Sequence, residues 1–219
     1  MPGRNSPEYA AFYPALPLNL IYGINTAGFI MAAEIELKAH VRDSEAMRLM
    51  LDKKAEYRGS FEKEDSYWYS GGPSDLPPSG LRIRREKFTF PDGSAKSSVF
   101  ATFKTKELRE GIEINDEQEF EVNPPQAFEE FLGRMGLTQG ASKRKKGWAY
   151  SYKGINAELA EVEGLGWFME LEIIADNSRE ETVAEGRKRL LGFLACLGIE
   201  RDAIESRFYT EMLAGAKAT

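Results

Sequence analysis

Charged and apolar residues alternate strictly over Glu34-Ile35-Glu36-Leu37-Lys38. In a strand, side chains at i, i+2 and i+4 share one face. Glu34, Glu36 and Lys38 then line one side, and Ile35, Leu37, Ala39 and Val41 the other. The alternation returns in Leu81-Arg82-Ile83-Arg84, in Thr102-Phe103-Lys104-Thr105-Lys106, in Glu117-Gln118-Glu119-Phe120-Glu121-Val122 and in Phe168-Met169-Glu170-Leu171-Glu172-Ile173. Lys143-Arg144-Lys145-Lys146 adds a basic run without a clear strand phase. Residues 81–106 read as a hairpin around Pro91-Asp92-Gly93-Ser94, and 70–80, rich in Gly, Pro and Ser, as a mobile loop.

Helical spacing separates these strands. A first helix is expected over about 44–57, with Asp43 as N-cap and Met47, Met50 and Leu51 as its stripe, before Gly59. A second starts at Pro124 or Pro125 and runs through Phe128, Phe131, Leu132 and Met135 to Gly136. A third has a capping box, Ser178 to Glu181, a stripe of Val183, Leu190, Leu191, Leu194 and Leu197, and a stop at Gly198. A fourth has a second box, Asp202 to Glu205, with Ile204, Phe208 and Met212 turned inward. Cys196 reads as a small core residue and His40 as a solvated strand residue.

Four amphipathic helices suffice to cover the apolar strand faces. The charged faces then have two possible destinations. An open antiparallel sheet turns them to water. A closed barrel turns them inward, where charges must be paired, hydrated or occupied by ligands. Spacing leaves both open. A pair of carboxylates on a rigid strand, as at Glu34 and Glu36, suits a hard divalent cation, with Lys38 placed for the anion that such a cation neutralises.

Composition narrows the chemistry. With 29 basic against 35 acidic residues, a net charge of −6 argues against a coat for nucleic acid. One cysteine excludes an internal disulfide and fits a reducing compartment, so the cytoplasm is the expected location. One histidine beside it excludes a Cys/His zinc cluster and leaves oxygen ligands, hence Mg²⁺ or Mn²⁺. The stretch Tyr9–Ala33 is uncharged, but Pro14, Pro17, Asn19, Asn25 and Thr26 break it, and no membrane span is expected. Residues 1–30 read as a disordered leader, 31–214 as the folded domain and 215–219 as a tail.

The order of these motifs resembles the CYTH superfamily, the triphosphate tunnel metalloenzymes. Glu34 to Lys38 is similar to Glu-x-Glu-x-Lys, Asp65-Ser66-Tyr67-Trp68 to Asp-Thr-Tyr-Phe, Leu81 to Arg84 to Leu-Arg-x-Arg, and Thr102-Phe103-Lys104 to Thr-Tyr-Lys. Lys143 to Lys146 falls where the family has Lys-x-Arg, and Gly164 to Glu172 resembles Gly-Leu-Gly-x-Phe-x-Glu-Ile-Glu. The tail around Arg207, Tyr209 and Leu213 is similar to the class IV adenylyl cyclase-like branch. The family's aspartate before Gly-Leu-Gly is replaced by Ala160, with Glu158 on the same face as a substitute. Its arginine before the middle acidic strand is missing around Asn115-Asp116-Glu117, where Lys106 or Arg109 is the candidate replacement.

The resemblance implies an α+β fold, a closed eight-stranded antiparallel barrel with helices packed outside. It implies Mg²⁺ or Mn²⁺ on Glu34, Glu36, Glu158, Glu170 and Glu172, and phosphate on Lys38, Arg82, Arg84, Lys104, Lys143 and Lys145, with Glu36 and Lys38 catalytic. The expected partner is a small-molecule triphosphate, with no nucleic acid or membrane, and the expected assembly a homodimer. The implied activity is hydrolysis of tripolyphosphate, a nucleoside triphosphate or thiamine triphosphate. The alternatives are an adenylyl cyclase releasing pyrophosphate, and a non-catalytic polyphosphate- or nucleotide-binding module.

Overall fold

The alternation at residues 34–38 runs through strand β1 (Ala33–His40), whose Ile35, Leu37 and Ala39 are buried in an apolar cluster. The computed structural model describes residues 33–70, 79–109 and 111–217. The expected leader and most of the expected loop at 70–80 lie outside them. Seven further strands follow: β2 (Glu56–Tyr69), β3 (Ser79–Thr89), β4 (Ala95–Arg109), β5 (Ile112–Glu121), β6 (Thr138–Tyr152), β7 (Ile155–Val162) and β8 (Gly166–Ala175). They pair antiparallel in the order β5-β4-β3-β2-β6-β7-β8-β1. Pairing of Ala33–Glu36 with Glu113–Asp116 joins β1 to β5 and closes the ring. The charged faces therefore turn into a barrel, and the apolar faces turn out to the helices.

Helices α1 (Ser44–Lys54) and α3 (Glu180–Cys196) cover one flank, where Ile35, Leu37, Leu159 and Leu171 meet Leu51, Leu190 and Leu194. On another, α2 (Pro125–Arg134) packs Phe128 and Leu132 over Ile83 and Ala101. Each fully buried aliphatic side chain contributes about 1.5–3 kcal/mol. Gly147 marks a close approach of backbones: a Cβ there would lie 2.0 Å from the Leu159 carbonyl oxygen.

Four local expectations are corrected. Helix α1 is capped by Asp43 but ends at Lys54, not near 57, because Glu56 and Tyr57 already pair with Ser151 and Tyr150. Ser178 is not the cap of α3: the Asn177 Oδ1 accepts from the Arg179 N–H and from the Thr182 hydroxyl. Cys196 is exposed, since the final turn of α3 buries Phe193, Leu194 and Leu197 instead. The box at Asp202–Glu205 does not start a helix. β5 covers β1 only as far as Glu36, and the vacant edge beyond takes a short strand, β9 (Ile204–Glu205), on Lys38 and Ala39. Helix α4 (Tyr209–Lys217) begins later, with the Glu211 carboxylate accepting from the Phe208 N–H at 2.8 Å.

Candidate functional site

Every strand of the ring sends charge into the barrel, and the pleat decides which residues go. On β1 they are Glu34, Glu36 and Lys38, and on β8 Glu170 and Glu172. The two strands set Glu36 opposite Glu172 and Lys38 opposite Glu170, while β7 sets Glu158 opposite Glu170 and Asn156 opposite Glu172. From β3 and β4 come Arg82, Arg84 and Lys104, and from β6 Lys143 and Lys145, whose neighbours Arg144 and Lys146 point outward to Glu64 and Glu161. The phase of that basic run, open in the sequence, is thereby fixed.

The eleven positions expected from the sequence all line this tunnel, but in two groups. In one, the Lys104 ammonium lies 2.7 Å from Glu34, 2.9 Å from Glu117 and 3.7 Å from Glu36. Glu172 is close enough to act electrostatically on Glu34. Four carboxylates thus gather round one ammonium. Burial pushes the Glu34 carboxyl well above its ordinary range, against the pull of Lys104 and with the push of Glu172 and Glu117. Burial and then Glu36 raise Glu172 to about 7. Glu117 goes the other way, because Lys104 and Arg82 outweigh its burial.

In the second group, Lys145 holds Glu170 at 2.6 Å and Glu158 at 2.8 Å, and Lys63 holds Glu158 at 2.6 Å. Arg84 grips Asp65 with two bonds of 2.7 and 2.9 Å, and Lys143 stands 3.1 Å from the same carboxylate. Asp65 is fully buried; Arg84 and Lys143 overcome that burial and hold its pKa well below the usual range. Burial, joined by the neighbouring charges of Lys145 and Arg84, lowers Lys143 to about 8 despite Asp65. Lys38 is bonded to Glu113. Arg82 bridges Glu117 at 2.8 Å and Thr102 at 3.1 Å.

Sequence reasoning missed Lys63, Glu113 and Glu86, which lies 3.5 Å from the Lys63 ammonium, and gave Asp65 no role. Lys63-Glu64-Asp65 carries charge on both faces, so no alternation singles out the inward pair. Glu113 and Asn115 share the face of Glu117, a signal that was available at i−4 and i−2. Ala160 is fully buried, with Glu158 two residues away in the tunnel. Arg109 replaces nothing in the tunnel: it pairs with Glu107 at the surface.

A hard cation suits this donor set, since oxygen ligands outnumber ammonium groups around Lys104 and two of the carboxyls there are driven toward their protonated forms. The buried Asn115 Oδ1 and Arg82 Nε have no hydrogen-bond partner, leaving an acceptor and a donor for a bound group. Among the described residues, no three metal-ligating side chains stand together at ligand distance, because lysines are interposed. No helix among the described residues is long and apolar enough to cross a membrane.

Comparison with known proteins places this geometry. Residues 32–209 match the CYTH domain. A protein of Methanocaldococcus jannaschii, provisionally named an adenylate cyclase, is 26% identical over 183 residues, 82% of this chain and 97% of its own. Among solved structures, the PH1819 protein of Pyrococcus horikoshii is 28% identical, with a TM-score of 0.71 over 83% of this chain and 98% of its own. The PH1012 protein of the same organism is also 28% identical, with a TM-score of 0.65 over 81% and 98%.

Proposed function

The chain belongs to the CYTH domain family, and on that premise we propose that it is a Mg²⁺- or Mn²⁺-dependent enzyme that hydrolyses a triphosphate. The observation that carries the reading is the division of the tunnel: four carboxylates crowd round Lys104, while Arg84, Lys63, Lys143 and Lys145 cluster farther along. A polyanion and a divalent cation entering together would relieve both sides.

In this reading Glu34, Glu36 and Glu172 hold the cation, with Glu170 and Glu158 beside them. Bound there, the cation would neutralise phosphate oxygens and polarise the phosphorus under attack. The chain's own groups do the remainder. Arg82, whose Nε is without a partner, would offer donors to phosphate oxygens, while Arg84, with Nε and Nη2 held by Asp65, would add its charge. Lys38, Lys104, Lys143 and Lys145 supply compact charge as electron density moves onto the leaving oxygen. Phosphoryl transfer needs positioning and charge neutralisation more than covalent chemistry, so a rigid, charged cavity is sufficient equipment. Water is the nucleophile in this reading, and Glu36, Glu117 and Glu119 are the carboxylates that could take its proton.

The second reading, an adenylyl cyclase, is favoured by the Methanocaldococcus jannaschii relative and its provisional name. The ribose 3′-hydroxyl of ATP then attacks the α-phosphate, and pyrophosphate leaves. One assay tests both: ATP or tripolyphosphate with Mn²⁺, scored for cyclic AMP and pyrophosphate against ADP and phosphate. Hydrolysis is expected, with Glu36→Ala abolishing it. Turnover that persists in EDTA sinks the metal-dependent reading, and cyclic AMP as the main product replaces hydrolysis with cyclisation.

A further inference from the structure

Asn115 lies where β5 closes on β1. The register sets it opposite Glu34, and sets Glu113 opposite Glu36. The pleat turns Glu113, Asn115 and Glu117 into the tunnel together. The Asn115 side chain is fully buried, yet its two polar atoms fare differently. Nδ2 faces the Glu36 carboxylate at 3.4 Å, a long and weak bond, whereas Oδ1 has no hydrogen-bond partner. Turning the amide over would set Oδ1 against that carboxylate, so charge fixes the orientation. A buried carbonyl oxygen left unpaired is costly, and such an exception calls for a reason. Its surroundings supply one. Glu34, Glu36 and Glu117 already gather round Lys104, with Glu172 close by. A hydroxyl or ammonium donor arriving here would choose those carboxylates over an amide, because charged acceptors make the stronger bonds. A hard cation takes several oxygens at once, and an amide oxygen gives it a ligand without adding negative charge to the crowd.

We infer that Asn115 Oδ1 is a ligand of the divalent cation, alongside Glu34, Glu36 and Glu172. The assignment rests on the metal-dependent reading and adds a neutral ligand to it. Strands β1 and β8 supply the carboxylates, and Asn115 brings in β5. The cation would then fasten the seam at which the barrel closes. The choice of asparagine also follows. An aspartate at this position would place a further carboxylate beside Glu36 and opposite Glu34 in the empty tunnel, where like charges repel.

Electron paramagnetic resonance of Mn²⁺ on the full chain, with the imido analogue of tripolyphosphate and ¹⁷O-enriched water, counts the waters bound to the metal. Asn115→Ala should gain one bound water and hold Mn²⁺ roughly tenfold or more weakly. Asn115→Asp keeps an oxygen in place, so it should keep the wild-type count and bind at least as tightly. A residue that only orients Glu36 would change the affinity and not the count, so an unchanged count in Asn115→Ala overturns the assignment. Should that variant not fold, a second measurement decides. Asn156 donates to Glu172 at 3.3 Å, and Asn156→Ala removes it as a competing source of signal. In that chain, labelled with ¹³C at its asparagine side-chain carbonyls, a ¹³C coupling to Mn²⁺ is expected, and its absence overturns the assignment. A wild-type chain that binds no Mn²⁺ removes the metal-dependent reading and this ligand together.

Discussion

Replacing Asp65 with asparagine should cost the empty protein much of its stability and should be partly repaired by an anion. Asp65 is fully buried, takes two bonds from Arg84 and faces Lys143 at 3.1 Å. The asparagine side chain would fill the same volume without charge, leaving two neighbouring cations in the tunnel with their shared counter-ion gone. Breaking a buried pair in this way costs about 3–5 kcal/mol. For a chain of this size each kcal/mol moves Tm by roughly 2–4 °C, so a fall of roughly 6–20 °C is expected. Calorimetry at pH 7 measures it. Tripolyphosphate supplies the missing negative charge, and at a hundredfold excess over its Kd it should return about 2.7 kcal/mol. The pH dependence has a definite sign. The folded pKa of Asp65 is depressed, so its contribution is present above the ordinary carboxylate range and fades as pH falls through the folded value. The gap between wild type and Asp65→Asn should therefore narrow on acidification. A Tm unchanged within about 2 °C at pH 7 refutes the reasoning, because a fall of that size belongs to an exposed pair of 0–1 kcal/mol.

Glu172, raised to about 7, binds its proton more tightly in the folded chain, so without a cation stability should decline as pH climbs from the ordinary carboxylate range to about 7. Mn²⁺ affinity should rise over the same window and lose that slope in Glu172→Gln; calorimetry at several pH values decides it. Lys143, lowered to about 8, loses its charge as pH rises through that value, so tripolyphosphate affinity should drop above pH 8, and Lys143→Arg should flatten the drop. The group's effect on folding has the opposite sign, since shedding a buried charge stabilises the native chain between about 8 and the ordinary lysine range. Gly147→Ala puts a methyl group into the Leu159 carbonyl and should cost about 1–3 kcal/mol or more, read as a lower denaturation midpoint; an unchanged midpoint refutes the close approach.

The strands were legible because alternation is a local property. Glu34 to Lys38 and Glu170 to Glu172 show their two faces without help from the rest of the chain. Which face is inside is not local. It follows from the bonding of Ala33–Glu36 to Glu113–Asp116, a closure between segments some eighty residues apart. Motif resemblance supplied that answer where spacing left two. The failures have the same origin. Ile204 and Glu205 have the spacing of a helix start, yet the vacant edge of β1 offers them strand hydrogen bonds. Lys63 was hidden by Glu62 and Glu64, which put charge on the outer face of the same strand, and Asp65, though it opens a matched motif, was given no role.

Several charge pairs of the tunnel join strands that do not follow one another in the chain. Lys104 of β4 meets Glu34 of β1, Arg82 of β3 meets Glu117 of β5, Asp65 of β2 meets Lys143 of β6, and Lys145 of β6 meets Glu170 of β8. Others lie within one hairpin, as Lys104 with Glu117, Asp65 with Arg84 and Lys145 with Glu158, so local and long-range ties meet in the same tunnel. Local openings ordinarily give a protein regions of unequal protection from amide exchange. Here a ligand in the tunnel would tie all the walls at once, so its protection should spread over the whole ring of strands and slow exchange in step, as in a hoop tightened from within.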